Sequence, residues 1–359
     1  MMIYFLSEEG AFREAVSRSS ASYLMVNIYG KRVALAWPDE DAPRLTTGAS
    51  FMTIRRPYVL SSREFKPEDT FVDVGERVRI GPGSLTVAAG PCSVEDEGEL
   101  LELGGSLKRM GADMLRGGAF KPRTSPYSFM GLGEEGLRAL SRARDELGLP
   151  VVSEVLDAAS LPLYRKVDMV QVGTRNAQNF PLLQALGEFG KPVLLKRGMG
   201  NTVDEWLGAS EYVLSRGNGS VVLCERGIRA PGSPTRFSLD VGAITKVKRL
   251  SHLPVCADPS HSAGESDLVE PLALAGVAAG ANMLLVEVHQ HPEMALSDGD
   301  QQITPQEFSS LVNKARALWD LLNRAGVKER DELESRLRDR VRKHRRDSGR
   351  GGTRPPELP

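Results

Sequence analysis

The sequence predicts an α/β protein whose main part is a (β/α)8 TIM barrel, preceded by a small α+β domain. Short apolar runs recur between residues 85 and 325, and helical stretches of roughly ten to fifteen residues separate most of them. The runs are continuous rather than alternating, which is typical of parallel strands buried on both faces. A doubly wound sheet is the alternative, but no Gly-x-Gly-x-x-Gly follows the first run. The predicted barrel strands are Leu85–Ala89, Met114–Leu115, Val151–Val155, Met169–Val172, Val193–Leu195, Val221–Leu223, Leu253–Ala257 and Met283–Val288.

Composition excludes several classes of protein. The 359 residues include 46 Lys and Arg against 47 Asp and Glu, so no strong net charge favours nucleic acid or a membrane as partner. No apolar run approaches the ~20 residues of a membrane helix, and the N-terminus lacks the regions of a signal peptide. The three cysteines are odd in number and widely spaced, which predicts free thiols and a cytoplasmic location.

Residues 1–60 are predicted to form a ferredoxin-like domain with a weak or missing second helix. A strand, a helix, a hairpin and a fourth strand follow one another in this region. Such a domain has too little core to be stable alone, so we expect it to dock on another surface. Its predicted elements are strand Met2–Leu6, helix Glu8–Arg18, hairpin Tyr23–Ile28 with Val33–Trp37, and strand Phe51–Ile54.

Three further segments complete the predicted domain organisation. Residues 61–84 are interpreted as a linker and an N-terminal hairpin, in which Arg77–Ile80 pairs with Leu85–Ala88 around Gly-Pro-Gly. Residues 85–325 form the barrel. Residues 326–359 are dense in charge and end in a Gly- and Pro-containing stretch, which predicts a charged, disordered tail.

Polar or ionisable residues follow the predicted barrel strands. Because the carboxyl ends of barrel strands meet at one face, we expect these side chains to lie together. With Arg123 they include six cations, which would repel one another unless anions such as phosphates bind among them. The strand-end residues are Cys92, Arg116 with Lys121, Glu154, Arg175, Lys196, Arg226, His261 and Glu287.

Four of the residues near the strand ends suit a metal ion. Cys92, His261 and Glu287, with Asp298 as a fourth ligand, offer a thiolate, an imidazole and two carboxylates, which fit Mn, Fe, Co or Zn. The spacing is not a local finger pattern, so a structural role for each residue is an equally good interpretation. Cys224 and Cys256 lie inside apolar runs and are interpreted as core. His252, His289 and His291 are assigned to the surface or to supporting positions.

Seven motifs in register resemble the type I-beta 3-deoxy-D-arabino-heptulosonate 7-phosphate (DAHP) synthases, which catalyse the first step of the shikimate pathway. The resemblance runs from about Pro57 to Leu322, and the N-terminal domain is similar in position and pattern to the regulatory domain of some members. Ala263, and the stretch around Phe237, depart from the family pattern. The motifs are Ala89-Gly-Pro-Cys-Ser93, Arg116-Gly-Gly-Ala-Phe-Lys-Pro-Arg-Thr-Ser125, Gln171-Val-Gly-Thr-Arg-Asn176, Leu194-Leu-Lys-Arg-Gly198, Cys224-Glu-Arg-Gly-Ile228, Asp258-Pro-Ser-His-Ser262 and Val286-Glu-Val-His289.

The resemblance implies a role for each candidate residue. The family condenses phosphoenolpyruvate with D-erythrose 4-phosphate and water, and uses a divalent metal. The resemblance implies that Lys121 is the proton donor and that Glu154 positions the water. It also implies a homo-oligomer, either a dimer or a tetramer, and an aromatic amino acid as effector. The implied metal ligands are Cys92, His261, Glu287 and Asp298, the implied phosphoenolpyruvate groups are Arg116, Lys121, Arg175, Lys196 and Arg226, and the implied erythrose 4-phosphate groups are Arg123, Thr124 and Ser125.

Two alternatives differ from this reading. A related barrel, 3-deoxy-D-manno-octulosonate 8-phosphate synthase, uses arabinose 5-phosphate, but that family has Asn-Arg-Ser where this chain has Pro122-Arg-Thr-Ser125. A barrel that binds ligand without turnover and acts as a regulatory partner is the second alternative. Retention of every metal and cation position argues against it.

Overall fold

Eight parallel strands close into a barrel in the computed structural model of the chain, which describes residues 1–6, 9–17, 19–38, 49–123 and 125–323. Each strand pairs with the next along the chain, and the last pairs with the first, from Met283 opposite Thr86 to Glu287 opposite Gly90. The predicted barrel is therefore confirmed. Its strands are β7 (Thr86–Gly90), β8 (Met114–Arg116), β9 (Val151–Val155), β10 (Met169–Val172), β11 (Val193–Lys196), β12 (Val221–Glu225), β13 (Val255–Ala257) and β14 (Met283–Glu287).

Helices connect the strands and cover the outside of the barrel. Between β9 and β10 a short 3-10 helix, Leu161–Lys166, replaces an α-helix. None of the helices in the described ranges is long and apolar enough to cross a membrane. The helices are α2 (Glu97–Arg109), α3 (Glu134–Leu147), α4 (Phe180–Phe189), α5 (Val203–Leu214), α6 (Val241–Leu250), α7 (Pro259–Ala263), α8 (Val269–Ala278) and α9, which begins at residue 305 and is described to residue 323.

The N-terminal module, residues 1–6, 9–17, 19–38 and 49–53, is a four-stranded antiparallel sheet with one helix. Its strand order, β2-β3-β1-β4, is that of a ferredoxin-like sheet. The predicted place of a second helix, residues 39–48, lies outside the described residues, as does the predicted tail after residue 323. The elements are β1 (Met2–Leu6), α1 (Glu9–Ser17), β2 (Ser22–Ile28), β3 (Lys31–Trp37) and β4 (Ala49–Thr53).

The two faces of the module's sheet pack on different partners. Tyr4 contacts Phe12 of α1 with ring centroids 5.1 Å apart, whereas Ile3 and Leu35 belong to the main hydrophobic core. Alternate residues of a strand point to opposite faces of the sheet. One face therefore packs on helix α1 of the module, and the other face packs on the barrel. The expected docking of the module is therefore observed.

The hairpin before the barrel pairs differently from the prediction. Strand β5 (Val72–Val74) pairs with β6 (Val78–Ile80), whereas the predicted partner of 77–80, Leu85–Ala88, lies almost entirely in barrel strand β7. The physical reason is that Val72, Val74 and Ile80 are buried together against the apolar interior of the barrel. The hairpin closes the amino-terminal end of the barrel, where an exposed apolar opening would otherwise meet water.

The segment around the predicted boundary between the N-terminal domain and the linker, residues 58–62, is buried. Tyr58–Ser62 is at most 3% exposed. The Glu211 carboxylate of α5 accepts hydrogen bonds from the backbone N–H groups of Leu60 and Ser61 at 2.9 and 2.8 Å. A buried segment whose backbone is paired in this way is a fixed part of the barrel wall, so the flexible part of any linker is shorter than predicted.

Candidate active site at the carboxyl ends of the strands

The candidate residues lie at one end of the barrel because each follows a parallel strand. Arg116, Lys196 and Glu287 are the last residues of β8, β11 and β14. Arg226 directly follows β12, and Cys92 lies two residues beyond β7. Since the strands run in the same direction, residues far apart in the chain converge at this end.

Three of the predicted metal ligands converge closely, and the fourth adjoins them. Ligand atoms of Cys92, Glu287 and Asp298 all lie within 4.8 Å of one another. The Cys92 Sγ is 3.3 Å from Asp298 Oδ2, and His261 Nε2 is 3.5 Å from Glu287 Oε1. Thiol, imidazole and carboxylate donors at these separations suit a borderline divalent ion, so the residues present fit a metal.

Neighbouring side chains orient these ligands. His261 Nδ1 lies 3.1 Å from Asp258 Oδ1, which leaves Nε2 directed toward Glu287. Gln301 Nε2 donates to Glu287 Oε2 at 2.5 Å. Asp298 adopts a left-handed backbone conformation with φ +51°, which is uncommon for a residue other than glycine. Outer partners of this kind fix ring and carboxylate directions in metal sites.

The electrostatic environment favours a charged carboxylate and a neutral imidazole. Burial raises the pKa of Glu287, but the charges of His261, Arg116 and Lys121 lower it by more. The pKa of Glu287 therefore stands well below its usual range. Burial lowers the pKa of His261. Burial, followed by the charge of Glu287, raises the pKa of Cys92 to about 12. Without a metal the thiol therefore keeps its proton, and a metal that binds its sulfur must displace that proton.

A cavity of about 260 Å³ lies above this cluster and is lined mainly by basic and polar side chains. All but one of the predicted phosphate- and carboxylate-binding residues that the structure describes line it. The exception, Arg116, lies beneath the cavity and donates to Glu287 Oε1 at 2.5 Å. Thr124 lies outside the described residues. The predicted residues that line the cavity are Lys121, Arg123, Ser125, Glu154, Arg175, Lys196, Arg226, His261 and Asp298.

Arg226 stands out among the cations of this cavity. Its Nε and Nη1 are buried, and they are the buried side-chain nitrogens for which the described part of the chain provides no hydrogen-bond partner. Burial lowers the pKa of this guanidinium, and Asp258 partly offsets that effect. Buried donors of this kind are normally paired, so the geometry calls for an anion from outside the chain.

Lys121 and Glu154 face the cavity with defined neighbours. Lys121 Nζ lies 2.9 Å from Cys92 Sγ and 3.1 Å from the Cys92 carbonyl oxygen. Burial alone would lower the pKa of Lys121, but Cys92 and Glu287 raise it above its ordinary value. Glu154 Oε2 accepts from Gln171 Nε2 at 2.9 Å, and a Cβ on Gly173 would come within 1.9 Å of Glu154 Oε1. A side chain at position 173 would therefore displace this carboxylate.

Sequence reasoning missed several side chains of the site. Arg236 lines the cavity, donates to Gln301 Oε1 at 2.6 Å and lies 3.7 Å from Asp298 Oδ1. Asp258 is 2.7 Å from Lys196 Nζ and so links that cation to His261. Asp258 opens a quoted motif and could have been found, whereas nothing in the sequence marks Arg236 as a strand-end residue.

Comparison with known proteins gives concordant results. The DAHP synthetase I family matches residues 68–323. The phospho-2-dehydro-3-deoxyheptonate aldolase of Thermotoga maritima is 50% identical over 280 residues, 78% of this chain and 82% of that protein. The 2-dehydro-3-deoxyphosphooctonate aldolase of Desulfatibacillum aliphaticivorans is 31% identical over 265 residues, 68% of this chain and 96% of that protein.

Solved structures extend this likeness. A crystal structure of the Thermotoga maritima phospho-2-dehydro-3-deoxyheptonate aldolase, also called DAHP synthase, has a TM-score of 0.74 at 43% identity. It covers 89% of this chain, and this chain covers 98% of it. A truncated form from the same organism has a TM-score of 0.69 at 46% identity over 74% of this chain and 98% of that one. The likeness to the first structure thus extends beyond residues 68–323.

Proposed function

The chain belongs to the DAHP synthetase I family, and we propose that its strand-end residues hold a metal ion, donate a proton and bind two anionic substrates. The protein is a 3-deoxy-7-phosphoheptulonate synthase. It condenses phosphoenolpyruvate with D-erythrose 4-phosphate and water, giving 3-deoxy-D-arabino-heptulosonate 7-phosphate and phosphate, the first step of the shikimate pathway. The observation that supports the proposed residue roles is that Arg226, which lines the same cavity as His261 and Asp298, has two buried side-chain nitrogens without a hydrogen-bond partner among the described residues.

Phosphoenolpyruvate binds in the inner part of the cavity in this proposal. Arg226, Lys196 and Arg175 line the cavity and present cations to its phosphate and carboxylate. Arg116, already paired with Glu287, acts by holding that carboxylate rather than by direct contact. Preorganised cations stabilise the charge that moves toward the phosphate when its C–O bond breaks.

The aldose phosphate binds at the outer part of the cavity. Arg123 and Ser125 line it, and Arg123 Nη1 donates to Ser297 Oγ at 2.7 Å, which places the guanidinium near Asp298. We assign Thr124 to the same phosphate on the basis of the sequence motif. These contacts hold the aldehyde end of a short sugar toward the cluster of Cys92.

The chain's own side chains move protons and position water. A divalent ion such as Mn, Fe, Co or Zn, held by Cys92, His261, Glu287 and Asp298, would act as a Lewis acid on the aldehyde. C3 of phosphoenolpyruvate attacks the aldehyde carbon, and Lys121 donates a proton to the oxygen that becomes an alkoxide. Glu154, oriented by Gln171, positions the water that adds at C2 before phosphate leaves.

A turnover assay with two aldoses tests this function. We expect efficient turnover of erythrose 4-phosphate with phosphoenolpyruvate, and a much lower kcat/KM with arabinose 5-phosphate. Comparable kcat/KM for arabinose 5-phosphate would favour the octulosonate reaction of the more distant relatives. No turnover of either aldose by metal-loaded protein would favour a regulatory barrel without catalysis.

We propose further that the N-terminal module binds an aromatic amino acid effector in a cytoplasmic homo-oligomer, a dimer or a tetramer. The module contains none of the strand-end groups, and it docks near Gly219, at the end of the barrel opposite the cavity. The module could therefore cover the cavity of its own barrel only after moving. Without moving, it could cover only the cavity of another subunit. An effector shifts such a balance by its differential affinity for the two states, commonly ~1–3 kcal/mol.

Deletion of residues 1–53 tests this regulatory role and leaves the buried segment 58–62 in place. We expect turnover to remain and inhibition by tyrosine or phenylalanine to be lost. An intact protein that does not respond to tyrosine, phenylalanine, tryptophan, chorismate or prephenate would leave the module with a structural role. The mass of the intact protein in solution, from light scattering, checks the oligomer.

A further inference from the structure

Phe237 lines the cavity without a role in the chemistry described above. It is 9% exposed, and its ring lies 4.1 Å from the guanidinium carbon of Arg226. The guanidinium carbon of Arg236 lies 5.9 Å from the same ring. Phe237 lies in the stretch where the sequence departs from the family pattern, and it belongs to none of the seven motifs.

The backbone holds Phe237 firmly in this position. Ile228 and Ser238 exchange two hydrogen bonds, each of 3.0 Å, which tie the loop of Phe237 to the loop that follows Arg226. The Phe237 N–H donates to the Ser262 carbonyl at 3.0 Å. Gly227 has φ +89°, and a Cβ there would lie 2.7 Å from the Cβ of Phe237. The ring is therefore fixed against the backbone of the arginine that it contacts.

Arg226 has few other groups to orient it. Asp258, the acid that attracts it, is already engaged by Lys196 at 2.7 Å and by His261 at 2.9 Å. Arg236 repels it. A guanidinium that stacks on a ring uses its face for that contact, and its N–H edge stays free for a planar or tetrahedral anion. Nε and Nη1 of Arg226, which have no partner among the described residues, lie in the guanidinium plane and remain available to such an anion.

We propose that Phe237 is a positioning residue that fixes the guanidinium plane of Arg226 so that its free edge meets the phosphate of phosphoenolpyruvate. The proposal rests on the proposed function, because it takes phosphoenolpyruvate as the anion of Arg226. Arg236 is farther from the ring and is bound to Gln301, so it depends less on Phe237. Because Arg226 is assigned to phosphoenolpyruvate, Phe237 should affect the binding of phosphoenolpyruvate more than that of erythrose 4-phosphate.

The test compares Phe237→Leu, Phe237→Tyr and Phe308→Leu in the metal-loaded protein. We expect Phe237→Leu to raise the Kd of phosphoenolpyruvate, from calorimetric titration, and its KM by roughly 10- to 30-fold, as for loss of a desolvated cation–π contact. The KM of erythrose 4-phosphate should change far less. Phe237→Tyr keeps the ring and should bind phosphoenolpyruvate nearly as the parent does. Phe308 is fully buried in α9, so Phe308→Leu controls for a lost ring elsewhere.

Each other outcome has a definite meaning. An unchanged Kd in Phe237→Leu, an equal rise of both KM values, or equal impairment of the Leu and Tyr variants would overturn the positioning role. Failure of the proposed function would be seen separately, since the parent protein would then not turn over phosphoenolpyruvate with erythrose 4-phosphate. If Phe237→Leu does not fold, binding to Phe237→Met, checked by its thermal unfolding midpoint, decides in the same way.

Discussion

The two ends of the barrel treat buried polar groups in opposite ways. At the carboxyl end, Arg226 keeps two buried nitrogens whose N–H groups no described residue accepts. At the amino end, Glu211 accepts from Leu60 and Ser61, and His252 bridges Thr70 Oγ1 at 2.8 Å and the Leu60 carbonyl at 2.7 Å. One end leaves hydrogen-bonding capacity for ligands, and the other satisfies it within the chain.

The two ends should also respond differently to mutation, one in turnover and the other in the free energy of unfolding. Unpaired buried groups and close cations cost stability and are kept where function requires them. A satisfied network at the other end stabilises the fold and contacts no substrate. Substitutions at the mouth should therefore affect turnover most, whereas those at the amino end should affect the free energy of unfolding.

Removal of a metal ligand should give the largest effect at the mouth. Loss of an outer partner of a metal ligand already costs roughly 10–100-fold in affinity or activity, so Cys92→Ala should lose more than that. Metal content after chelator treatment, with turnover, is the measurement. Cys224→Ala is the control, because Cys224 is equally buried but lies within the barrel interior. Full activity of Cys92→Ala in chelator-treated buffer would rule out Cys92 as a ligand.

Lys121 provides a second test and has a matched residue at the other end. We expect Lys121→Ala to lose roughly 10²-fold or more in kcat if it donates the proton. Lys121→Arg should not restore turnover, because arginine stays protonated and has a different geometry. Lys191, whose Nζ donates to the Val167 carbonyl at the amino end, is the control, and Lys191→Ala should keep its kcat. Near-normal kcat in either Lys121 variant would make Lys121 an ion-pair partner only.

The barrel and most of its site were predictable because the signal is local. A continuous apolar run such as Val221–Leu223 predicts a buried strand, and polar residues shortly after the run then lie at the strand end, as Arg226 does. Arg236 was not predictable in this way. Its place depends on a hydrogen bond from its backbone N–H to the Ala263 carbonyl, a contact between a loop and the end of α7 that no local sequence pattern indicates.

The amino end was harder to predict, for reasons that the structure makes plain. Val72-Asp-Val74 alternates between buried and exposed, but a run of three residues is a weaker strand signal than the apolar run Leu85–Ala88. His252 was assigned to the surface or a supporting position, but it is 1% exposed in the amino-end network. Neither a short alternation nor a lone histidine identifies its partner, because the partner lies far along the chain.

The pH dependence of stability should report on the amino end through His252. Burial lowers its pKa to about 4 in the folded protein, against about 6.5 when unfolded. The unfolded chain therefore binds the proton first as pH falls. The contribution is complete above pH ~6.5 and is lost toward pH ~4, by about 3 kcal/mol at most.

Denaturant unfolding at pH 7 and pH 4.5 measures this effect. His252→Gln should flatten the difference between the two pH values, while His291→Gln, whose side chain is exposed, should leave it unchanged. The site carboxylates titrate in both the parent and the variant, so the difference between them isolates His252. An identical pH dependence in the parent and His252→Gln would show that this histidine is not held neutral by burial.

The smallest expected effect concerns the contact that joins the N-terminal module to the amino end. The Tyr29 hydroxyl donates to the Gly219 carbonyl at 3.2 Å, and its ring packs edge-on against His252 at 5.3 Å. Tyr29→Phe keeps the ring and removes the hydroxyl with its hydrogen bond to Gly219, so the free energy of unfolding should fall by about 0.5–1.5 kcal/mol. Tyr127→Phe, at a residue 96% exposed beside the mouth, should not change it. Amide hydrogen exchange should quicken in β1 and β3 of the module while kcat stays the same, because the contact lies across the barrel from the cavity. A matching fall in kcat would mean that docking of the module reaches the catalytic residues, and the two ends would then no longer be independent.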